Sequence, residues 1–264
     1  MIGFPQNLES LTPLAVLFLM IATRLAGLFF IAPIFSSHTI SPKVRVALVV
    51  TISMAIMFSH PGSGPAETDL VSVVIALFGE ATVGVAAGLS ARIVLAAVET
   101  AGQLLSTPMG MGFASAADPM SGATQAVTSR FLGLIATISF LALNMHHTML
   151  SMMAQSFQVL PPGYAAPSLL SSQLLFRNAA FIFDGAVRLA APVMIVLLGV
   201  MATIGLLARV APKMNLLVLS FAVSVGLGLV TLHSVLPDMV AWIRGVILRI
   251  EPITLEVLDG FVQG

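Results

Sequence analysis

Arg24, Glu80, Arg92, Glu99, Asp184 and Arg188 stand inside stretches of this chain that are otherwise apolar. An ionisable group in such a place is costly, and it points either to an ion or proton path or to a partner of opposite charge. Glu80, Arg92 and Glu99 share one long segment. They are candidates for the relay of a secondary transporter or proton-conducting subunit, or else for pairing with partner subunits. Arg92 and Glu99 are seven residues apart, so they share a helix face. They stand roughly 10 Å apart along the axis, too far for direct contact. Asp184 and Arg188 have the i,i+4 spacing, acid first, of an ion pair within one helix. Pro192, four residues on, removes the donor to the Arg188 carbonyl and can kink that helix. Arg24 has no partner in its own segment, so its partner lies on another segment or subunit.

Other chemistry finds little support. His146 and His147 are adjacent, which on a helix sets them about 100° apart, unlike the i,i+4 pair of a one-helix zinc site. No metal or cofactor is expected. A Ser-His-Asp arrangement, a phosphate loop and a dinucleotide fingerprint are all missing, so nothing points to an enzyme.

The elements that must carry these residues follow from composition. Of 264 residues, 58% are hydrophobic and only 8% charged, with mean hydropathy +1.06. A soluble domain carries about 25% charged residues, so this is an integral membrane protein. Its formal net charge is zero, which gives no reason to expect nucleic acid as a partner. It has no cysteine, which excludes disulfides and thiolate metal sites. No Lys or Arg precedes Arg24, so the basic start of a cleaved signal peptide is missing and the first apolar segment is expected to stay.

Six apolar segments are expected as helices, because lipid forces backbone groups to be satisfied within each segment. They cover 11–33, a shorter one over 45–58 started by Pro42, 70–105, 129–153, 179–207 with Pro192 inside, and 215–236. Polar or Pro/Gly-rich breaks fall at 60–69, 161–168 and 208–215, and an amphipathic tail follows from Pro237. No alternating segments of about ten residues appear, which excludes a transmembrane barrel. Lys43, Arg45, Arg130, Arg209 and Lys213 lie at odd-numbered connections, so the N-terminus is expected to face out, although Arg244 and Arg249 in the tail oppose this. Gly84 with Gly88, and Ser220 with Ser224 and Gly228, repeat the four-residue spacing of small residues that lets helices approach closely.

Residues 106–125, STPMGMGFASAADPMSGATQ, interrupt this pattern. Pro108 and Pro119 break helical hydrogen bonding, and Gly110, Gly112 and Gly122 permit unusual backbone angles. Asp118 is the only charge, whereas Met109, Met111, Phe113 and Met120 are soft and apolar. Two readings stand open, a re-entrant turn packed on its own helices and a movable stopper.

Four strings, in this order, carry a resemblance. They are RLAGLFFIAPIFSSHTISPKVRVAL (24–48), AGQLLSTPMGMGFASAADP (101–119), FLALNMHHTMLSMMAQSFQVLPPG (140–163) and AAPVMIVLLGVMATIGLLARVAPKMNLLVLSF (190–221). The chain resembles the FliR family of flagellar biosynthetic proteins and their virulence-type counterparts in type III secretion. The likeness implies one all-α integral membrane domain over 1–264, with helices bent into hairpins on assembly. It implies a core subunit of the export gate, built with FliP-like and FliQ-like membrane subunits and an FlhB-like switch protein. That gate lies at the flagellar basal body in the bacterial inner membrane and passes unfolded substrate proteins. The family's central loop helps seal the passage. Carried over, the plug is residues 106–122 with Met109, Gly110, Met111, Gly112 and Phe113 as its tip. Pro108 departs from the family pattern, where an amide residue is usual; it stiffens the loop entry.

Overall fold

The computed structural model describes residues 8–37, 40–59, 70–111, 126–165, 169–210 and 216–263. Among the described residues the regular structure is helical: α1 (Leu8–Ile31), α2 (Pro42–Ser59), α3 (Leu70–Ser106), α4 (Val127–Ala142), α5 (Met145–Val159), α6 (Leu169–Ala179), α7 (Phe181–Val210), α8 (Leu216–Ile247) and α9 (Ile250–Gln263). Five helical stretches of the described residues are long and apolar enough to cross a membrane, or six if α4 and α5 count as one broken span.

Local chemistry sets most of these limits. α1 stops before Pro33, which lacks the amide hydrogen and disfavours helical angles in the residue before it. Pro42 opens α2 at the first helical position, and the Ser41 hydroxyl accepts the Val44 amide as an N-cap. α3 runs for 37 residues without a proline, about 55 Å at 1.5 Å per residue.

Three expectations are corrected. The segment 129–153 is two helices, because Asn144 adopts the left-handed conformation (φ 54°, ψ 26°) that asparagine tolerates better than most residues. The last long helix does not end at 236 but passes Pro237 to Ile247. Met239, Ile243, Val246 and Ile247 are buried at helical spacing beyond the proline, so packing holds the helix across the lost hydrogen bond. Finally, 169–179 forms α6, a helix ahead of α7.

The helices fall into two compact units. The first holds α1, α2, α3 up to Arg92, α5, α6 and α9. Its core is the α1 stripe Leu17, Met20, Ile21, Arg24, Leu25 and Leu28, each at most 2% exposed. Between helices in lipid there is no water to expel, so close packing carries the association. Glycines supply it where α1 meets α3. A Cβ on Gly84 would strike the Arg24 carbonyl, one on Gly27 would lie 2.8 Å from the Ala81 carbonyl oxygen, and one on Gly88 would lie 3.1 Å from the Leu28 carbonyl oxygen. α9 lays Ile250, Thr254, Val257, Leu258 and Phe261 inward and packs on α5 and α6, where Arg177 pairs with Glu256.

The second unit holds α3 from Ile93, α4, α7 and α8. The Thr128 hydroxyl donates to the Gly102 carbonyl at 2.6 Å and the Ser129 hydroxyl to the Glu99 carbonyl at 2.7 Å, which fastens the start of α4 to α3. α7 and α8 meet where the Phe181 and Trp242 rings stack at 6.2 Å beside Gly185.

Replacing Gly84 by Ala is expected to force α1 and α3 apart and to cost about 1–3 kcal/mol, the usual range for overpacking. Gly226→Ala, where a Cβ meets nothing within 4 Å, is expected to leave stability unchanged or slightly raised. Unfolding midpoints of the two variants in mixed detergent micelles check the difference.

Candidate functional site

Arg24 is completely buried in the first unit, and three elements converge on it. Its Nε donates to Glu80 Oε2 of α3 at 2.5 Å. Its Nη1 donates to the Ser156 hydroxyl of α5 at 3.1 Å, and its Nη2 to the Leu160 carbonyl just past α5 at 3.0 Å. The guanidinium carbon lies 4.2 Å from the centre of the Phe157 ring, within reach of a cation–π attraction. Glu80, also fully buried, uses its other oxygen to accept the Gly163 amide at 2.8 Å. Gly163 can present that amide because its φ is +94°, in a region glycine enters without strain. One residue before Glu80, Gly79 has no side chain to collide with the Ala165 carbonyl, so the turn after α5 closes on α3.

The arrangement is a fork joining α1, α3 and the end of α5. A guanidinium suits it, because its planar set of donors reaches a carboxylate, a hydroxyl and a carbonyl at once. Glu80 has both oxygens engaged, so the first member of the candidate relay is held by structural hydrogen bonds. Arg92 is exposed and Glu99 half-buried. Ser156, Phe157, Leu160 and Gly163 escaped the sequence reading. The one available hint was Pro161-Pro162-Gly163, which marks a turn but not what its amide faces.

Asp184 and Arg188 form the expected pair on α7, with Nε 2.8 Å and 2.9 Å from the two carboxylate oxygens, on an exposed face. His146 and His147 lie at the start of α5 with ring centres 4.3 Å apart. No group of three or more His, Asp or Glu among the described residues could hold a metal.

The root of the expected plug belongs to the second unit. α3 ends in a glycine cap. The Met111 amide donates to the Ser106 carbonyl and the Gly110 amide to the Thr107 carbonyl, both at 3.0 Å, with Gly110 at φ +76°. This crossed pair satisfies carbonyls that the end of a helix leaves open. Met109 is completely buried, whereas Gly110 and Met111 are half-buried. Gly112 and Phe113 lie outside the described residues. Thr107, Pro108 and Gly110 border an apolar cavity of about 360 Å³ with Met201, Phe221 and Ser224. Of the small-residue series on α8, Ser224 and Gly228 are buried and Ser220 is half-buried.

Removing Glu80 alone leaves a buried cation without its acid, which typically costs about 3–5 kcal/mol. Glu80→Leu is therefore expected to abolish recovery of folded chain from membranes. The pair Arg24→Met with Glu80→Leu is expected to restore most of it, since a buried ion pair replaced by apolar groups is often near neutral. Size-exclusion profiles in mild detergent read the recovery. A double variant that folds and still supports export marks the pair as structural, whereas a relay would stay dead.

Known proteins resemble the chain over most of its length. The family model for bacterial export proteins, family 1, matches residues 15–250. The flagellar biosynthetic protein FliR of Pectobacterium carotovorum subsp. carotovorum is 34% identical over 217 residues, covering 81% of this chain and 82% of the relative. FliR of Escherichia coli (strain K12) is 28% identical over 214 residues, with 81% and 82% covered. The surface presentation of antigens protein SpaR of Salmonella typhimurium is 27% identical over 221 residues, with 82% and 83% covered. The chain thus belongs to the bacterial export proteins of family 1, within the FliR family, and is an integral membrane component of a bacterial export apparatus.

Proposed function

We propose that the chain is a core subunit of the flagellar or type III export gate. It assembles with FliP-like and FliQ-like membrane subunits, and with an FlhB-like switch protein, at the flagellar basal body in the bacterial inner membrane. The complex passes unfolded substrate proteins, and the loop over residues 106–122 acts as its plug. The role is steric: the loop closes the passage when no substrate is threaded, and its apolar side chains exclude ions by dewetting.

The observation that carries this reading is the end of α3. A helix of membrane-spanning length terminates in a glycine-capped, methionine-bearing turn whose first apolar side chain is packed and whose next one is not. A plug needs this, a fixed root and an apolar body. The need for partners is supported by the large apolar side chains left outside, among them Phe30, Phe78, Phe183, Ile195, Val210 and Val230. A helix apolar on all its faces requires lipid or another subunit around it. Of α2, only Val49, Ser53 and Ile56 are buried within the chain. Asp184 and Arg188, an ion pair on such an exposed face, suit a subunit contact better than lipid.

Replacing residues 111–113 by a Gly-Ser linker, with Met109 and Gly110 kept, is expected to raise small-solute leakage across the inner membrane while the complex stays assembled. Wild-type leakage from an assembled complex would overturn the plug. The wild-type chain is expected to co-purify in mild detergent with two different small helical membrane proteins, and its isolation alone under those conditions would overturn the gate assignment.

A further inference from the structure

We propose that Met109 is the anchor of the plug, with Gly228 of α8 as its seat, and that Gly110 is the pivot at which the chain leaves the anchored root. This rests on the plug reading above and divides the expected tip in two. Met109 is a positioning residue that belongs to the wall, and Met111 is the first residue beyond the anchor.

Three observations carry it. First, Met109 is completely buried, and its amide continues the helical pattern by donating to the Leu105 carbonyl at 3.2 Å. Second, its side chain fills the space that a side chain at 228 would take. A Cβ on Gly228 would lie 2.9 Å from both the Cγ and the Cε of Met109, and 3.4 Å from Cδ2 of Leu197. A clash at Cε alone could be relieved by swinging the flexible end away, but a clash at Cγ requires the whole side chain to leave. Gly226, two residues earlier, meets nothing within 4 Å, so the seat is a property of position 228 and not of a glycine-rich helix. Third, the next residue is fixed from the other side. A Cβ on Gly110 would lie 2.8 Å and 2.9 Å from the edge of the Phe221 ring, and its φ of +76° is strained for any residue with a Cβ. Gly110 therefore combines close packing with a backbone geometry that turns the chain out of the helix.

Met111 has the opposite surroundings. It is half-buried and borders a separate apolar cavity of about 300 Å³, with Val127, Phe131, Leu229 and His233 on the walls. Close packing holds Met109 in place, and unfilled volume lets Met111 change its rotamer or position without a clash. A gating loop needs this contrast. If its root slipped, opening would not reverse to the same closed state; if its body were packed as tightly, it would not open.

The chain has no cysteine, so one introduced thiol reports cleanly. With Met111→Cys in the full chain, co-expressed with its export partners, the rate of labelling by a water-soluble methanethiosulfonate is measured in membranes. Adding Gly228→Leu or Met109→Ala is expected to speed labelling by about tenfold each, because either change frees the root and favours local opening. Combining the two is expected to bring the rate back to within about twofold of the parent, because side chains that share a contact are not additive. Gly226→Leu is expected to leave the rate unchanged. If Gly228→Leu fails to assemble, Gly228→Ala reads the same effect with a smaller rise. Unchanged labelling in the assembled Gly228 variant, or a double variant as fast as the singles, overturns the anchor. Small-solute leakage in the same membranes separates the two proposals. The expected labelling pattern without leakage keeps the anchor and removes the plug, and leakage without the labelling pattern does the reverse.

Discussion

A guanidinium buried among apolar helices must be neutralised, and the first unit is built around doing so. Arg24 occupies the most buried stripe of α1, where Glu80, the Ser156 hydroxyl and the Leu160 carbonyl supply acceptors. The ion pair contributes little net stability, because the cost of desolvating two charges offsets most of their attraction. Its contribution is discrimination. Apolar helices can pack in many registers of similar energy, whereas one register alone satisfies Arg24 and Glu80 together. The glycine seam serves the same end. Gly27 and Gly84 bring the backbones of α1 and α3 into close approach beside Arg24, which also bonds Ser156 of α5.

The second unit packs through a different set of contacts. Two hydroxyls on α4 take up carbonyls of α3, aromatic rings stack between α7 and α8, and a methionine fills a hole left by a glycine. These contacts are individually weak and adjustable. A charged fork fixes one geometry, whereas hydroxyls and methionine allow adjustment, because sulfur and unbranched chains repack at low cost.

Hydropathy alone made most helices legible, since lipid imposes one rule on every long apolar run. It could not show the break at Asn144, because the residues on both sides are as apolar as a continuous helix would have. Nor could it show that α8 survives Pro237, which depends on the burial of residues beyond the proline. The charges were legible in part. Arg24 plainly needed a partner, but the partner lies 56 positions away, and nothing local distinguishes Glu80 from Glu99. The loop's composition announced an unusual segment, and the family resemblance supplied a role for it. Neither could reveal that Met109 is buried while Met111 is not, because that difference arises from a glycine on another helix.

Half of the groups around Arg24 and Glu80 belong to the main chain, which affects how substitutions at this site are interpreted. The Leu160 carbonyl and the Gly163 amide do their work whatever side chain they carry, within limits of size and backbone angle. Position 160 therefore answers to bulk and position 163 to conformational freedom, and neither answers to polarity. A tally of polar residues would recover Arg24, Glu80 and Ser156 and overlook the rest, even in a homologue where the fork is intact. Such a site can drift in sequence while its electrostatics stay constant, and the drift would show least at the turn that holds the acid in place.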